Sequence, residues 1–236
     1  MKSLLDSGKF VGPGASVKQV GRQCDMPFPM KVSDLLNKAE CPFSRCDRIH
    51  IKVLTNPNLS GGITLMLSNM RRVYATADIG IEVVSREVLA GPQFATLNSL
   101  DVGGCTTGAV SPEQTQLSAN RNGVGDNELV AYFVSNVVKT IPPGTQQLNG
   151  CASVSLGMVA VAQIASQWTL AHEIGHTLDL QHITGENAPA CTTQDPTRLM
   201  TGCSTSNITG FPTVVQSEID TMRASKFTRA SQREVS

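Results

Sequence analysis

With 236 residues, 40% of them hydrophobic, the chain is long enough to bury the core of one ordinary domain, or one plus a short appendage. Its 19 basic and 19 acidic side chains cancel, which removes the electrostatic case for nucleic acid or an anionic membrane as partner. One Trp and two Tyr are too few for a base-stacking platform.

Residues 1–30 are rich in Gly, Pro, Ser and Lys and show no sustained period, which marks a leader or a loosely packed arm. The opening, Met1 to Phe10, lacks the apolar run of a signal peptide, and no stretch reaches the length of a membrane span. Val32, Leu35, Leu36 and Ala39 recur at helical spacing behind Ser33 and predict a short helix. Cys41 and Cys46 frame a tight loop, where a bridge would be local. Arg48 to Thr55 alternates polar and apolar residues and predicts the first strand. His50 belongs to it as a solvent-facing or hydrogen-bonded strand residue, not a metal ligand.

Asn56 to Gly62 marks a turn. Ile63, Met66, Leu67, Met70, Val73 and Tyr74 then predict an amphipathic helix. Gly80 to Leu89 is the second strand, and 90–110 reads as irregular. Ser111-Pro112-Glu113-Gln114 has the form of a capping box with proline at the first helical position, so a helix runs from there to about Asn120. The Asn120–Glu128 loop carries oxygen ligands. It reads as a plain turn before a calcium (Ca2+) site, because the EF-hand spacing is absent. Glu128 to Val138 is nearly continuous in apolar residues and predicts one strand buried on both faces. Pro142-Pro143-Gly144 breaks the chain, and Gly150 to Gln163 predicts one or two short strands around Gly157. A helix capped by Ser166 should run to about Asp179. Thr213 to Met222 predicts a closing helix, with Thr213 as cap and Gln216 completing the box. Strands alternate with helices early and helices with loops later, which gives an α+β fold with an α/β-like N-terminal part.

Three of the four histidines, His172, His176 and His182, fall within eleven residues. His172 and His176 are four apart, on one face of the predicted helix, with Glu173 next to the first. This is the H-E-x-x-H arrangement, in which two imidazoles hold Zn2+ and the glutamate borders its open side. His182 joins only if the helix stops and the chain turns back. The implied chemistry is amide hydrolysis, with zinc-bound water as nucleophile and Glu173 as general base. Loss of zinc and activity is expected together as pH falls below about 6, when histidines protonate.

His172 to His182, H-E-I-G-H-T-L-D-L-Q-H, resembles the extended zinc signature of the metzincin metalloendopeptidases, the reprolysin-like branch above all. The resemblance implies a zincin-type mixed twisted sheet with packed helices, an active-site helix and a methionine turn. It implies His172, His176 and His182 as ligands of one catalytic zinc, Glu173 as base and Met200 in the methionine turn. The motif covers 168–203, and the order of elements extends a weaker likeness over about 48–225. The domains that follow are a leader or pro-segment, 1–47, and a catalytic domain, 48–236. Two features depart from the pattern. The glycine at which the family's helix ends is Asp179 here, a residue that tolerates the left-handed conformation at a cost of about 1 kcal/mol. Gly202 stands where some members carry a ligand tyrosine.

Seven cysteines favour disulfides and an oxidising destination, hence secretion, against the alternative of buried free thiols in a cytosolic protein. Cys191 and Cys203 flank the methionine turn and could brace it, and Cys105 could pair with Cys151. Cys41–Cys46 would then leave Cys24, whose setting is loosely similar to a prodomain cysteine that caps zinc as a latency switch. The alternatives are a bridge from Cys24 to Cys41 or Cys46, or a free thiol. The leading reading is a monomeric zinc metalloendopeptidase acting on a protein or peptide substrate. Its alternatives are an inactive zinc-binding interaction module and a toxin-like effector protease with one host target.

Overall fold

Alternating residues from Arg45 to Val53 form β1, the first strand of a computed structural model that describes residues 43–54, 60–106, 108–183, 195–202 and 204–231. All described residues belong to the unit Glu40–Ser236. The strand opens three residues before the expected Arg48. Helix α1 (Ser60–Ala75) buries the spaced set Ile63, Met66, Leu67, Met70, Val73 and Tyr74 and leaves Leu65 outward. It returns the chain to β2 (Ile79–Val88), parallel to β1.

The stretch expected to be irregular holds two 3-10 turns, Pro92–Phe94 and Thr96–Asn98, and a short strand β3 (Ser99–Asp101). Three residues are too few to show a period. Helix α2 (Pro112–Ser118) forms as its sequence dictates: the Gln114 N–H donates to Ser111 Oγ at 3.0 Å, and the Ser111 N–H donates to Gln114 Oε1 at 2.7 Å.

The long apolar run is two strands rather than one. β4 (Leu129–Val134) and β5 (Asn136–Ile141) are separated by Ser135, whose N–H donates to Asn98 Oδ1 at 3.2 Å. There the chain leaves the main sheet for a second, small one. β6 (Gly144–Leu148) returns antiparallel to β5 across the turn at Pro142–Pro143. β7 (Gly150–Ser153) and β8 (Met158–Ala162) pair antiparallel around Gly157, which takes φ 57°. Five strands of the six-stranded main sheet run in the order β2-β1-β4-β8-β7, parallel except for β7, and the small sheet runs β3-β5-β6. β4 carries both cores. Leu129, Ala131 and Phe133 face the α1 side, and Val130, Tyr132 and Val134 face Leu97, Leu100 and Leu117.

Helix α3 (Thr169–Thr177) packs on the α1 side of the sheet, and every one of its residues is buried. Ser166 does not cap it; its hydroxyl accepts the Trp168 N–H at 3.3 Å in the turn before the helix. Helix α4 (Gln216–Ala224) starts two residues later than expected, with Val215 rather than Thr213 before it. Thr213 is extended, its N–H bonded to Thr197 O at 2.7 Å and its carbonyl to the Leu199 N–H, so it cannot cap. Glu218 instead accepts the Val215 N–H at 2.8 Å. β9 (Thr228–Ala230) closes on the start of β1. Among the described residues no helix is long and apolar enough to cross a membrane.

The contact of β9 with β1 buries a carboxyl. Asp47 is 1% exposed, accepts Thr228 Oγ1–H at 2.7 Å, and its Oδ2 has no hydrogen-bond partner. Burial pushes its pKa up from 3.8 to about 7, against the Thr228 hydrogen bond. The fold therefore prefers the acid form, and stability present below pH 3.8 declines as pH rises towards 7. The full loss is about 4 kcal/mol. Asp47→Asn keeps an oxygen for Thr228 and cannot ionise. It is expected to raise Tm at pH 8 and to flatten the dependence of stability on pH between 4 and 7, measured by thermal unfolding.

Candidate metal centre

The three histidines of the 172–182 stretch meet although they do not share a helical face. His172 and His176 project from α3 one turn apart. The helix then ends in a Schellman turn: the Leu180 N–H bonds to Gly175 O at 3.0 Å, and the Asp179 N–H to His176 O at 3.0 Å. Asp179 sits at φ 69°, in the left-handed region. This reversal carries His182 back across the end of the helix. His182 Nε2 lies 3.2 Å from His172 Nε2 and 3.1 Å from His176 Nε2.

Carbonyls fix the tautomers. His172 Nδ1–H donates to Leu199 O at 2.7 Å and His176 Nδ1–H to Leu180 O at 2.8 Å. Both rings therefore present a bare Nε2 lone pair to His182. One proton on His182 Nε2 cannot align with both, so the donor set is short of positive charge. Ligands of one tetrahedral zinc at about 2.0–2.1 Å lie about 3.3–3.4 Å from one another, close to the two spacings from His182, and all three nitrogens lie within 4.8 Å of one another. Burial pushes His172 down to about 4, opposed by its Leu199 hydrogen bond and reinforced by His182. Burial, with His172 and His182, holds His176 well below its ordinary value, against the Leu180 hydrogen bond. Neutral, pre-aimed imidazoles are what a zinc ion requires.

The residues around Met200 fasten the site at two points. Leu199 supplies the carbonyl that holds His172, and Met200 O accepts the Ile183 N–H at 3.0 Å, next to His182. The Met200 side chain is fully buried against α3; its Sδ would lie 2.8 Å from any Cβ added at Gly175. From the other side Tyr74 Oη–H donates to Ala171 O at 2.9 Å. Glu173 is buried under β7, where burial pushes its carboxyl up to about 8 against the hydrogen bond from the Ala152 N–H. A dication beside it would draw that value back down.

Among the described residues, these three histidines are the metal-competent cluster of His, Cys, Asp and Glu side chains. His50 is buried apart from them, between Ser85 Oγ and Glu128 Oε2, each at 2.8 Å. Glu128, the carboxylate closing the loop considered for calcium, is engaged by Arg48, His50 and the Gly125 N–H. The expected Cys105–Cys151 disulfide is present and ties β7 to the loop after β3. Cys46 is also disulfide-bonded. Cys24, Cys41, Cys191 and Cys203 lie outside the described residues, so the latency switch and the other two pairings do too. Sequence reasoning missed the carbonyls of Leu180 and Leu199 and the backbone of Gly150 and Ala152. Backbone atoms leave no mark in a motif, and only the glycine could have hinted at a close approach.

Asp179 yields a direct prediction. Glycine takes φ 69° without a Cβ penalty, so Asp179→Gly is expected to stabilise the fold by about 1 kcal/mol with no loss of zinc. Asp179→Val should destabilise it, since a β-branched residue resists positive φ. Urea unfolding of both variants measures this.

No protein-family model and no curated protein matches the chain. Among solved structures it is similar to an archaemetzincin from Methanopyrus kandleri, at a TM-score of 0.48 and 14% identity, over 75% of this chain and 93% of that one. It is also similar to metalloproteinase-II from Bacteroides fragilis, at a TM-score of 0.42 and 13% identity, over 78% of this chain and 54% of that one.

Proposed function

We propose that the chain is a zinc-dependent metalloendopeptidase of metzincin type, with His172, His176 and His182 holding the metal and Glu173 acting as general base. The observation that carries this reading is the approach of His182 Nε2 to within 3.2 Å of His172 Nε2 and 3.1 Å of His176 Nε2, with the Nδ1 protons of the two helix rings committed to carbonyls. When bound, zinc supplies Lewis acidity, which brings the pKa of water towards neutrality and polarises a carbonyl. The chain supplies the rest. Glu173 takes a proton from the attacking water and returns it to the leaving amine nitrogen as the C–N bond breaks. The Ala152 N–H holds the carboxylate against β7. The carbonyls of Leu199 and Leu180 keep the two helix imidazoles in one tautomer and orientation.

The substrate class is a protein or peptide, and disulfide use supports an oxidising compartment. The test is cleavage of an unstructured protein such as casein by the chain with one equivalent of zinc, with and without a chelator. Chelator-sensitive cleavage is the expected result. A chain that binds zinc and cleaves nothing after removal of residues 1–40 refutes the reading.

A further inference from the structure

Gly150 opens β7, paired with Val161 of β8, and its φ lies outside the left-handed region. Its backbone could therefore carry any residue; what it cannot carry is a Cβ. An added Cβ would lie 2.8 Å from Glu173 Cγ, 2.9 Å from Glu173 Oε1 and 3.0 Å from the Ala160 carbonyl oxygen. Gly62, Gly123, Gly144 and Gly210, by contrast, would meet nothing within 4 Å. Two residues along the strand, the Ala152 N–H donates to the same carboxylate. The Cys105–Cys151 disulfide anchors the residue between them, and Thr106 N donates to Ala152 O at 2.7 Å on the strand's outer edge. β7 is thus held from outside while its inner face makes room for one side chain.

We propose that Gly150 is the positioning residue for Glu173: the absence of a side chain there lets the carboxylate stand against β7, within reach of the Ala152 N–H. Any larger residue drives the carboxylate off this seat, because β7 is held by its pairing with β8, by the Thr106 N–H bond to Ala152 O and by the disulfide. The catalytic consequence rests on the peptidase reading above; the contact itself does not.

The test is Gly150→Ala, alone and combined with Glu173→Ala. For zinc-loaded protein the expected result is a fall in kcat of at least about tenfold, with KM within about twofold and zinc content unchanged, since a displaced base spoils the chemical step and not substrate binding. For zinc-free protein the expected result is a clear drop in Tm in the wild-type background and a much smaller one in the Glu173→Ala background, which lacks Cγ and Oε1. Should Gly150→Ala alone fail to fold, its rescue by Glu173→Ala supports the proposal. Wild-type kcat in Gly150→Ala overturns it. So do equal Tm losses in both backgrounds, which would trace the glycine to Ala160 O, and so does a double variant that also fails to fold. If the wild type cleaves no peptide, the peptidase reading fails, and the Tm comparison still decides whether Gly150 seats Glu173.

Discussion

Glu173→Ala is expected to lower peptide-bond cleavage by about 10²–10⁴-fold while the protein keeps its zinc. The glutamate side chain is absent from the three-nitrogen cluster, so its removal leaves the ligands and their carbonyl partners in place. What disappears is the group that accepts the proton of the attacking water and gives it to the amine. Stability should move the other way. Burial pushes the Glu173 carboxyl up from 4.5 to about 8, so the zinc-free fold prefers the acid form and loses stability as pH rises through that window. At pH 7 the loss reaches about 3 kcal/mol. Glu173→Gln, which cannot ionise, is therefore expected to unfold at a higher temperature than the zinc-free wild type at pH 7 and above, and to be inactive. Activity and Tm measured on the same preparations check both. The opposition of the two effects bears on the alternative of an inactive binding module, since a module without chemistry gains nothing from a carboxylate that costs the fold stability. Activity in Glu173→Ala equal to wild type would exclude the proposed mechanism.

Zinc itself provides the second large effect. Metal bound to the fold and not to the unfolded chain raises stability by about 4 kcal/mol at a thousandfold excess over Kd. His176→Ala, which removes one nitrogen of three and empties the space beside Leu180 O, is expected to lose this rise entirely, along with activity. Calorimetry with and without zinc reads it. Acid dependence follows from the buried rings. His172 is pushed down from 6.5 to about 4, so the unfolded state takes up a proton that the fold refuses between those values. The His172 contribution to the stability of the zinc-free protein is full above pH 6.5 and is lost as pH drops towards 4, about 3 kcal/mol in all. The depressed value keeps His172 neutral through pH 6, so its protonation is expected to release zinc only below that pH. A zinc-binding titration from pH 7 to 4 shows where the metal leaves.

Much of the site could be read from residue types at fixed spacing. A helix places residues four apart on one face whatever surrounds it, so His172 and His176 were bound to stand together once the stretch was helical. Asp179 was legible as the stop, because few residues accept a positive φ, and its 69° is that stop. The capping box at Ser111 and Gln114 is local chemistry and formed where it was read. The misplaced elements were those whose competition is not local. Thr213 has the residue type of a cap but is taken by Thr197 and Leu199. Glu128 to Val138 has the composition of one buried strand but divides at Ser135, because Asn98 and the second sheet claim the chain there.

The sequence by itself therefore determined the candidate ligands and base, the helix that carries His172, Glu173 and His176, and the residue at which that helix turns, since each depends on neighbours within about one turn. Only the tertiary structure decided that His182 closes the triad at 3.1–3.2 Å, that Leu199 fixes the tautomer of His172, and that Glu173 lies against Gly150 and Ala152. Those contacts join atoms distant in the chain, and the backbone groups among them are common to nearly every residue. Packing of α3 beneath the edge of the sheet, not any motif, brings them together.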